Sequence, residues 1–332
     1  MNTGSNYDAW NIKAEDFPKN TAIGEQIKFL IGYGILAPST YNSQPWKFKI
    51  AESKLIIIPD LRYKLPYADP SNKNLFISLG CCLANIEIAA ANFGLKSDVE
   101  IFDRGEKSKI EVSFHKAGKV DQKLASLFPF ITKRYSNKMP YDGRRIEKKL
   151  IEGLEDVDIG GCEAILVDDR SKIKSISELQ YRAVGSFLSD AQFIKELSKW
   201  LRSKDSEEGD GVPVLPSLQE SAAKKVSNPA EVDRGLMLTS SAVGLIVSDA
   251  EGINFWINAG RKYETMAIKA VSLGLAMTPM LALIQNEECR KKLVKLLRLK
   301  VKIPLMFFRL GYSSDNNIYH TPRKTLASVI QK

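Results

Sequence analysis

Apolar residues recur at helical spacing from Ile23 to Leu36, which predicts an amphipathic helix. The run stops where Pro38 disfavours helix at the residue before it. From Gln44 to Pro59 the period shortens to two. Trp46, Phe48 and Ile50 share one face of a strand WKFKI, and KLIIIP follows after a turn at Glu52–Ser53. Asn74 to Leu95 is apolar nearly all round, with Glu87 its only charged side chain, so it predicts a helix buried on several sides. Strand-like VEIF and IEVSF then close the first half near His115.

The second half repeats the plan. Gly80 and Gly94–Leu95 are matched by Gly260 and Gly274–Leu275, each pair separated by fourteen positions and bracketing a helix. Each helix is preceded by an apolar strand, KLIIIP or VGLIVSD, and followed by a short loop and further strand. Glycine after a helix is common, so one match means little. The same order of elements twice points to duplication, and two such copies can pack as a dimer does, about a pseudo-twofold axis. The expected fold is α+β, with halves at 1–125 and 126–332 packed through the helices Asn74–Leu95 and Ile253–Leu275. Trp200 to Arg234 is polar, rich in Gly, Pro and Ser, and reads as an insertion, either a lid or a surface loop.

Composition adds boundaries. With 332 residues, 44% hydrophobic and 26% charged, the chain has ample material for a core. No uninterrupted apolar run reaches the roughly 18 residues of a membrane helix. The N-terminus is too polar and acidic for a secretory signal, so a cytoplasmic location is expected, without membrane partners. Four cysteines without a CxxC pair, beside only two histidines, argue against zinc and predict reduced, mostly buried thiols. The net charge of +9 is spread among acids, with no helix-turn-helix, finger or aromatic-plus-basic platform, so no nucleic-acid partner is expected. His115 and His320 stand alone and read as surface histidines, and neither a P-loop nor a GxGxxG is present.

Three stretches could carry chemistry. Ala37 to Phe48, APSTYNSQPWKF, is a helix stop, a small-polar loop and a strand start, with Ser39, Thr40 and Asn42 offering short donors and acceptors. In an extended Lys133–Lys138, Arg134, Ser136 and Lys138 point the same way, and two cations with a hydroxyl suit a phosphate. A solvated basic turn is the bland alternative. Arg323 and Lys324 after Pro322 form a second cationic pair, and Gly274 to Ala282, GLAMTPMLA, is a connector after the second long helix.

The string PSTYNSQPW resembles the flavin-binding loop of the FMN-dependent nitroreductase family, and over the whole chain the likeness is to its long, internally duplicated, Acg-like branch. That resemblance implies a nitroreductase-like three-layer fold in which the two halves form a pseudo-dimer within one chain. It implies FMN held by Pro38, Ser39, Thr40, Asn42 and Gln44 of the loop, and by Arg134, Ser136 and Lys138 in an Arg-x-Ser-x-(Arg/Lys) phosphate motif. Arg323 and Lys324 match the C-terminal phosphate contact. Pro279, Met280 and Leu281 match the loop that lays a backbone amide against flavin N5, although the glycine usual after the proline is absent here. No catalytic side chain is implied, because flavin N5 carries the chemistry.

Each of these motifs occurs once, so one FMN per chain is expected at the seam between halves. The mirror position, where GLKSDVEI lacks a proline loop, should be dead. The implied activity is hydride transfer from NADH or NADPH through FMN to a nitro, quinone or similar small acceptor. The alternative is an FMN-storage protein whose lid, about 200–234, stays closed. Arg234 and Asp233 at the lid's end are candidates for the flavin's pyrimidine edge. A fused pseudo-dimer points to a monomer, with a homodimer as the other option.

Overall fold

The computed structural model describes residues 6–202, 209–213, 228–313, 315 and 317–331. Helix α1 (Ile23–Gly34) leads through the Pro38 loop to an antiparallel sheet built from β1 (Trp46–Ala51), β2 (Lys54–Pro59), β3 (Leu95–Phe102) and β4 (Lys109–Lys116). Its strand order is β1-β2-β4-β3, and the helix α2 (Lys73–Asn92) connects β2 to β3. The turn at Glu52–Ser53 sets Ala51 opposite Lys54, the register the alternating pattern requires.

The short helix α3 (Gln122–Ala125) and a 3-10 stretch Phe128–Lys133 lead into the second half. There α4 (Lys148–Glu155), β5 (Cys162–Val167), α5 (Arg170–Leu188) and α6 (Ala191–Ser198) precede two short parallel strands, β6 (Leu201–Arg202) and β7 (Val212–Pro213). Then follow α7 (Pro229–Leu238), β8 (Ala242–Ser248), α8 (Ile253–Ser272), β9 (Ala276–Pro279), α9 (Ala282–Gln285), α10 (Glu287–Leu297), β10 (Ile303–Gly311) and α11 (Leu326–Val329). The second sheet runs β5-β8-β10-β9, antiparallel throughout. Counted within its half, that is the same order as the first sheet, with the 20-residue α8 where the 20-residue α2 stands.

The two long helices pack on each other between the sheets. A Cβ on Gly80 would lie 1.9 Å from the carbonyl oxygen of Ile257, and one on Gly260 would lie 1.9 Å from that of Ile77. The two contacts are mirror images, each residue meeting the counterpart of its partner, 180 positions away. Cys81 Sγ donates to Gly260 O at 3.4 Å, and Arg261 clasps Glu87 with two hydrogen bonds of 2.9 and 2.7 Å. The one charged residue predicted within the first helix thus has a partner in the second.

The halves differ in what covers them. Along β4 buried and accessible residues alternate, and in the edge strand β3 only Leu95 is buried, so the first sheet keeps one open face. Every residue of β8 is buried. Ala242 and Ile246 pack toward the central helices, while Val243, Leu245 and Val247 join a second core with Ile173, Ile176, Leu283 and Leu293. Strand β5, helix α5 and this outer core have no forecast in the sequence reading. Helix α2 is also long and apolar enough to cross a membrane, but it is buried inside the fold. All four cysteines are free and buried, as expected, and burial raises the thiol pKa of Cys81 and Cys82 far above the ordinary value. No metal-ligating cluster occurs among the described residues.

Because those 1.9 Å contacts are with backbone, the helices must separate to admit a methyl group. Gly80→Ala or Gly260→Ala should each destabilise the fold by about 1–3 kcal/mol. Denaturant unfolding would check this, and alanine at the open Gly153 is the control.

Candidate functional site

The Pro38 loop is built on strained backbone. Tyr41, Asn42 and Gln44 take positive φ values of 54°, 53° and 50°. Such conformations are costly for residues with a Cβ and cluster where surrounding structure over-determines them. The surroundings do so here. Ser39 Oγ accepts from the Gln44 amide at 2.9 Å, Gln44 Oε1 accepts from the Lys324 amide at 2.9 Å, and Asn42 Oδ1 accepts from Arg323 at 3.0 Å.

Two arginines distant in sequence converge on this loop. Arg134 donates to Leu36 O at 2.9 Å and Arg323 to the same oxygen at 2.8 Å. Both are buried, at 4% and 3% exposure. One carboxylate faces them: Glu264 of α8, fully buried, whose Oε1 lies 2.8 Å from Arg134 Nε. That contact is a charge contact without hydrogen-bond alignment. Neither oxygen of Glu264, nor Nε of Arg134 or Arg323, has a hydrogen-bond partner among the described residues. Burial pushes the Glu264 carboxyl up to about 7, against the opposing pull of Arg134 and Arg323. Burial and the neighbouring Arg134 lower Arg323 to about 9. The cluster therefore carries more positive than negative charge in a place where unbalanced charge is expensive.

The N-terminal arm closes this cluster from outside. Trp10 stacks on His320 at 3.7 Å, donates to Thr321 O at 2.9 Å and presents its ring face to Arg323. His320 is thus half-buried, contrary to the surface position expected for it, and burial with Arg134 and Arg323 nearby pulls its pKa down to about 4. His115 does lie at the surface, 3.2 Å from Asp98. Trp10 and Glu264 were not among the predicted residues. Glu264 has a candidate partner one turn back, Arg261, so nothing in the sequence set it apart, and only the fold shows that Arg261 turns to Glu87 instead.

The remaining predicted residues spread around the loop. Residues 134–138 carry no regular secondary structure, and Arg134 is tied down inside while Lys138 is exposed, its pKa lowered by the surrounding protein with Asp233 opposing the shift. Ser136 is half-buried and, like Thr40, makes no side-chain hydrogen bond among the described residues. Pro279 ends β9 rather than lying in a free loop, and the Met280 amide is taken by Phe307 O at 2.9 Å, so Met280 is not the spare donor the motif suggested. Leu281 caps α9. This turn adjoins the basic segment, for Thr278 Oγ1 donates to Asn137 O at 2.7 Å and pairs with Tyr141 OH at 3.0 Å. Arg323 and Lys324 part company: Lys324 turns away, its ammonium 3.2 Å above the Tyr63 ring centre.

The insertion reaches the loop. Gln44 Nε2 donates to Gly209 O at 2.6 Å, and Asn42 Nδ2 to Gly211 O at 3.1 Å. Residues 203–208 and 214–227 of the expected lid lie outside the described residues. Its last part is the helix α7, packed on α5. There Arg234 pairs with Glu178 and Glu231, away from Lys138, whereas Asp233 is held by Gln180 at 3.0 Å near Lys138 and Arg309.

No family model matches the chain. Two curated proteins of Mycobacterium tuberculosis, the putative NAD(P)H nitroreductases MT3217 (strain CDC 1551) and Rv3131 (strain H37Rv), are each 22% identical over 326 residues, covering 92% of this chain and 91% of theirs. Among solved structures, the FMN-dependent nitroreductase NfnB of Mycobacterium smegmatis in complex with NADPH aligns at 12% identity and a TM-score of 0.43. It covers 63% of this chain and 99% of its own. A nitroreductase with bound FMN from Bacteroides fragilis aligns at 16% and 0.39, covering 60% and 93%.

Two titrations in this cluster have opposite signs. Glu264 binds its proton more tightly folded than unfolded, so between its ordinary 4.5 and about 7 stability falls as pH rises. His320 binds its proton less tightly folded, so between about 4 and its ordinary 6.5 stability rises with pH. Relative to the parent, Glu264→Gln should gain stability with rising pH across this window, and His320→Gln should lose it. Urea unfolding of all three proteins at pH 4.5, 5.5 and 6.5 measures both slopes.

Proposed function

We propose that this chain is an FMN-dependent NAD(P)H oxidoreductase with a nitroreductase-like fold, which passes hydride onward to a nitro, quinone or similar small acceptor. The observation that carries the reading is the convergence of Arg134 and Arg323 on the Pro38 loop around one under-bonded carboxylate. A buried site with excess positive charge suits a phosphate monoester, because charge-assisted bonds to phosphate are strong and the anion offsets the second guanidinium. The whole-length similarity to proteins named as NAD(P)H nitroreductases points the same way.

In this reading the residues present fit FMN as follows. Arg134, Arg323 and Ser136 hold the phosphate, with Nε of Arg323 free to donate and the arginine–carbonyl bonds able to exchange for phosphate oxygens. Ser39, Thr40, Asn42 and Gln44 bound the ring from the first half, and Lys138 with Pro279–Leu281 bounds it from the second. When bound, FMN supplies a ring nitrogen that accepts and returns hydride. The protein's part is to place that ring, to set cations and amide dipoles around it and to exclude water. The ammonium of Lys138 favours the anionic reduced ring. Asp233, pushed up by burial, restrains Lys138 in turn.

The same reading treats the chain as a duplicated unit. Equal strand order, central helices of equal length and the reciprocal glycine contacts support it. One chain then supplies both sides of the site, which favours a monomer, and β3, the counterpart of β9, has no proline where β9 ends at Pro279, which favours a single flavin. A second reading, FMN storage under a closed lid, has one specific support: Gly209 and Gly211 are hydrogen-bonded to Gln44 and Asn42.

The purified protein should carry a flavin spectrum, and Arg323→Ala should weaken FMN binding by tenfold or more, about 1.4 kcal/mol. Anaerobic addition of NADH, then NADPH, distinguishes the two readings. Rapid bleaching of the flavin band is expected of the oxidoreductase. A flavin that only dithionite reduces would select storage, and protein that binds no FMN would overturn both.

A further inference from the structure

Beside the Pro38 loop, on the side to which Lys324 turns, lies a groove formed by two adjoining cavities of about 460 and 570 Å³. They adjoin at Arg62, Tyr63, Arg202 and Asp210, which line both, and each is of the size small ligands occupy. Its two ends differ in chemistry.

One end is a lattice of charge. Asp60 lies between Lys47 and Arg62, at 3.9 and 2.6 Å, and Asp210 lies between Lys324 and Arg202, at 3.8 and 2.9 Å. Each acid lies between two cations, so each group is positive when its lysine is protonated, and both face the same space. Burial and the nearby cations Lys47 and Arg62 lower Lys324 to about 7, against the pull of Asp210 and Asp60, so an arriving anion would strengthen its charge. The other end is charged as well, by Lys64, Lys195, Lys199 and Glu196, and adds aromatic rings, with Arg202 5.9 Å from the Trp200 ring centre. Trp200 lies 6.1 Å from Tyr63 at a tilt of 49°, and Tyr67 is 46% exposed.

We propose that this groove is a nucleoside-phosphate site, with the phosphate on the paired cation groups and the base on Trp200 and Tyr67. Two fixed cation groups recognise a phosphate, and aromatic faces accept a base by stacking. The charged end and the ring end adjoin, as a phosphate and a base do within one nucleotide. The nucleotide could be free adenylate or the adenosine end of NAD(P)H. The second source rests on the oxidoreductase reading, whereas nucleotide binding itself does not.

The test is titration of the purified full-length protein with 2′,5′-ADP and 5′-AMP, followed by isothermal calorimetry and tryptophan fluorescence. Saturable binding is expected, weakening with added salt. Arg62, 71% exposed and outside the proposed flavin site, can be altered with little risk to folding. Arg62→Glu should lower affinity at least tenfold, and Tyr67→Ala should lower it severalfold, with the parent far-UV circular dichroism retained. Displacement of 2′,5′-ADP by NADPH but not by nicotinamide mononucleotide would assign the dinucleotide as the source. Binding without displacement would assign free adenylate.

Absence of saturable binding by either adenylate, or binding indifferent to both substitutions, overturns the proposal. The two readings fail separately. Flavin bleached by NADPH in a protein that binds no adenylate sinks the groove alone. Adenylate binding with a flavin that neither donor reduces sinks the donor assignment alone.

Discussion

Two helices can approach to backbone contact only where neither carries a side chain, and this chain meets that condition at Gly80 and Gly260. The reciprocal contact fixes where α2 and α8 cross, and through them where the two sheets lie. It also fixes the seam. Because α8 is pinned to α2 at Gly260, its next turn carries Glu264 toward Arg134 and the end of α1. A charged residue so placed would be intolerable without a partner, and the two arginines that answer it come from the segment before α4 and from the C-terminal strap, the segment between β10 and α11. The position of the charge cluster is thus a consequence of helix packing.

The cluster itself is out of balance. Arg323 spends its terminal nitrogens on backbone carbonyls and on Asn42, and Arg134 shares the Leu36 oxygen with it. Among the described residues Glu264 alone pairs with Arg134, and its oxygens have no hydrogen-bond partner. Left-handed backbone at three residues of the adjoining loop adds stored strain. A region optimised only for stability would use neither feature. Both fit the proposed reading, in which an anion completes the cluster and its ligand-facing groups are positioned in advance.

The sequence was legible where burial acts through short periods. The strands β1 and β2, their two-residue turn, the helix α1 and the near-uniform apolarity of α2 all follow from local pattern. The strand β5 and helix α5 were missed because their pattern serves the outer core on the far face of the second sheet, a partner no local window discloses. At the site, the Pro38 loop, Arg134 and Arg323 were visible as motifs, and the structure brings them together. What could not be read was the separation of Arg323 from Lys324. Adjacent residues in extended chain face opposite ways, and only the fold reveals that one side holds Glu264 and the other Tyr63 and Asp210. His320 was misjudged for the same reason, because its burial is due to Trp10, far away in sequence.

That separation gives the C-terminal strap a double office. Its backbone is fixed to the Pro38 loop, with the Lys324 amide donating to Gln44 and the Pro322 carbonyl accepting from Asn42. Arg323 then faces the buried cluster and Lys324 the open groove, so the two cationic sites are back to back across one strand of chain. The described part of the insertion joins both, since Gly209 bonds to Gln44 on the loop side while Asp210 faces Lys324 on the groove side. The groove and the buried cluster thus share one short segment, residues 322–324, and the hydrogen bonds that hold it to Gln44 and Asn42.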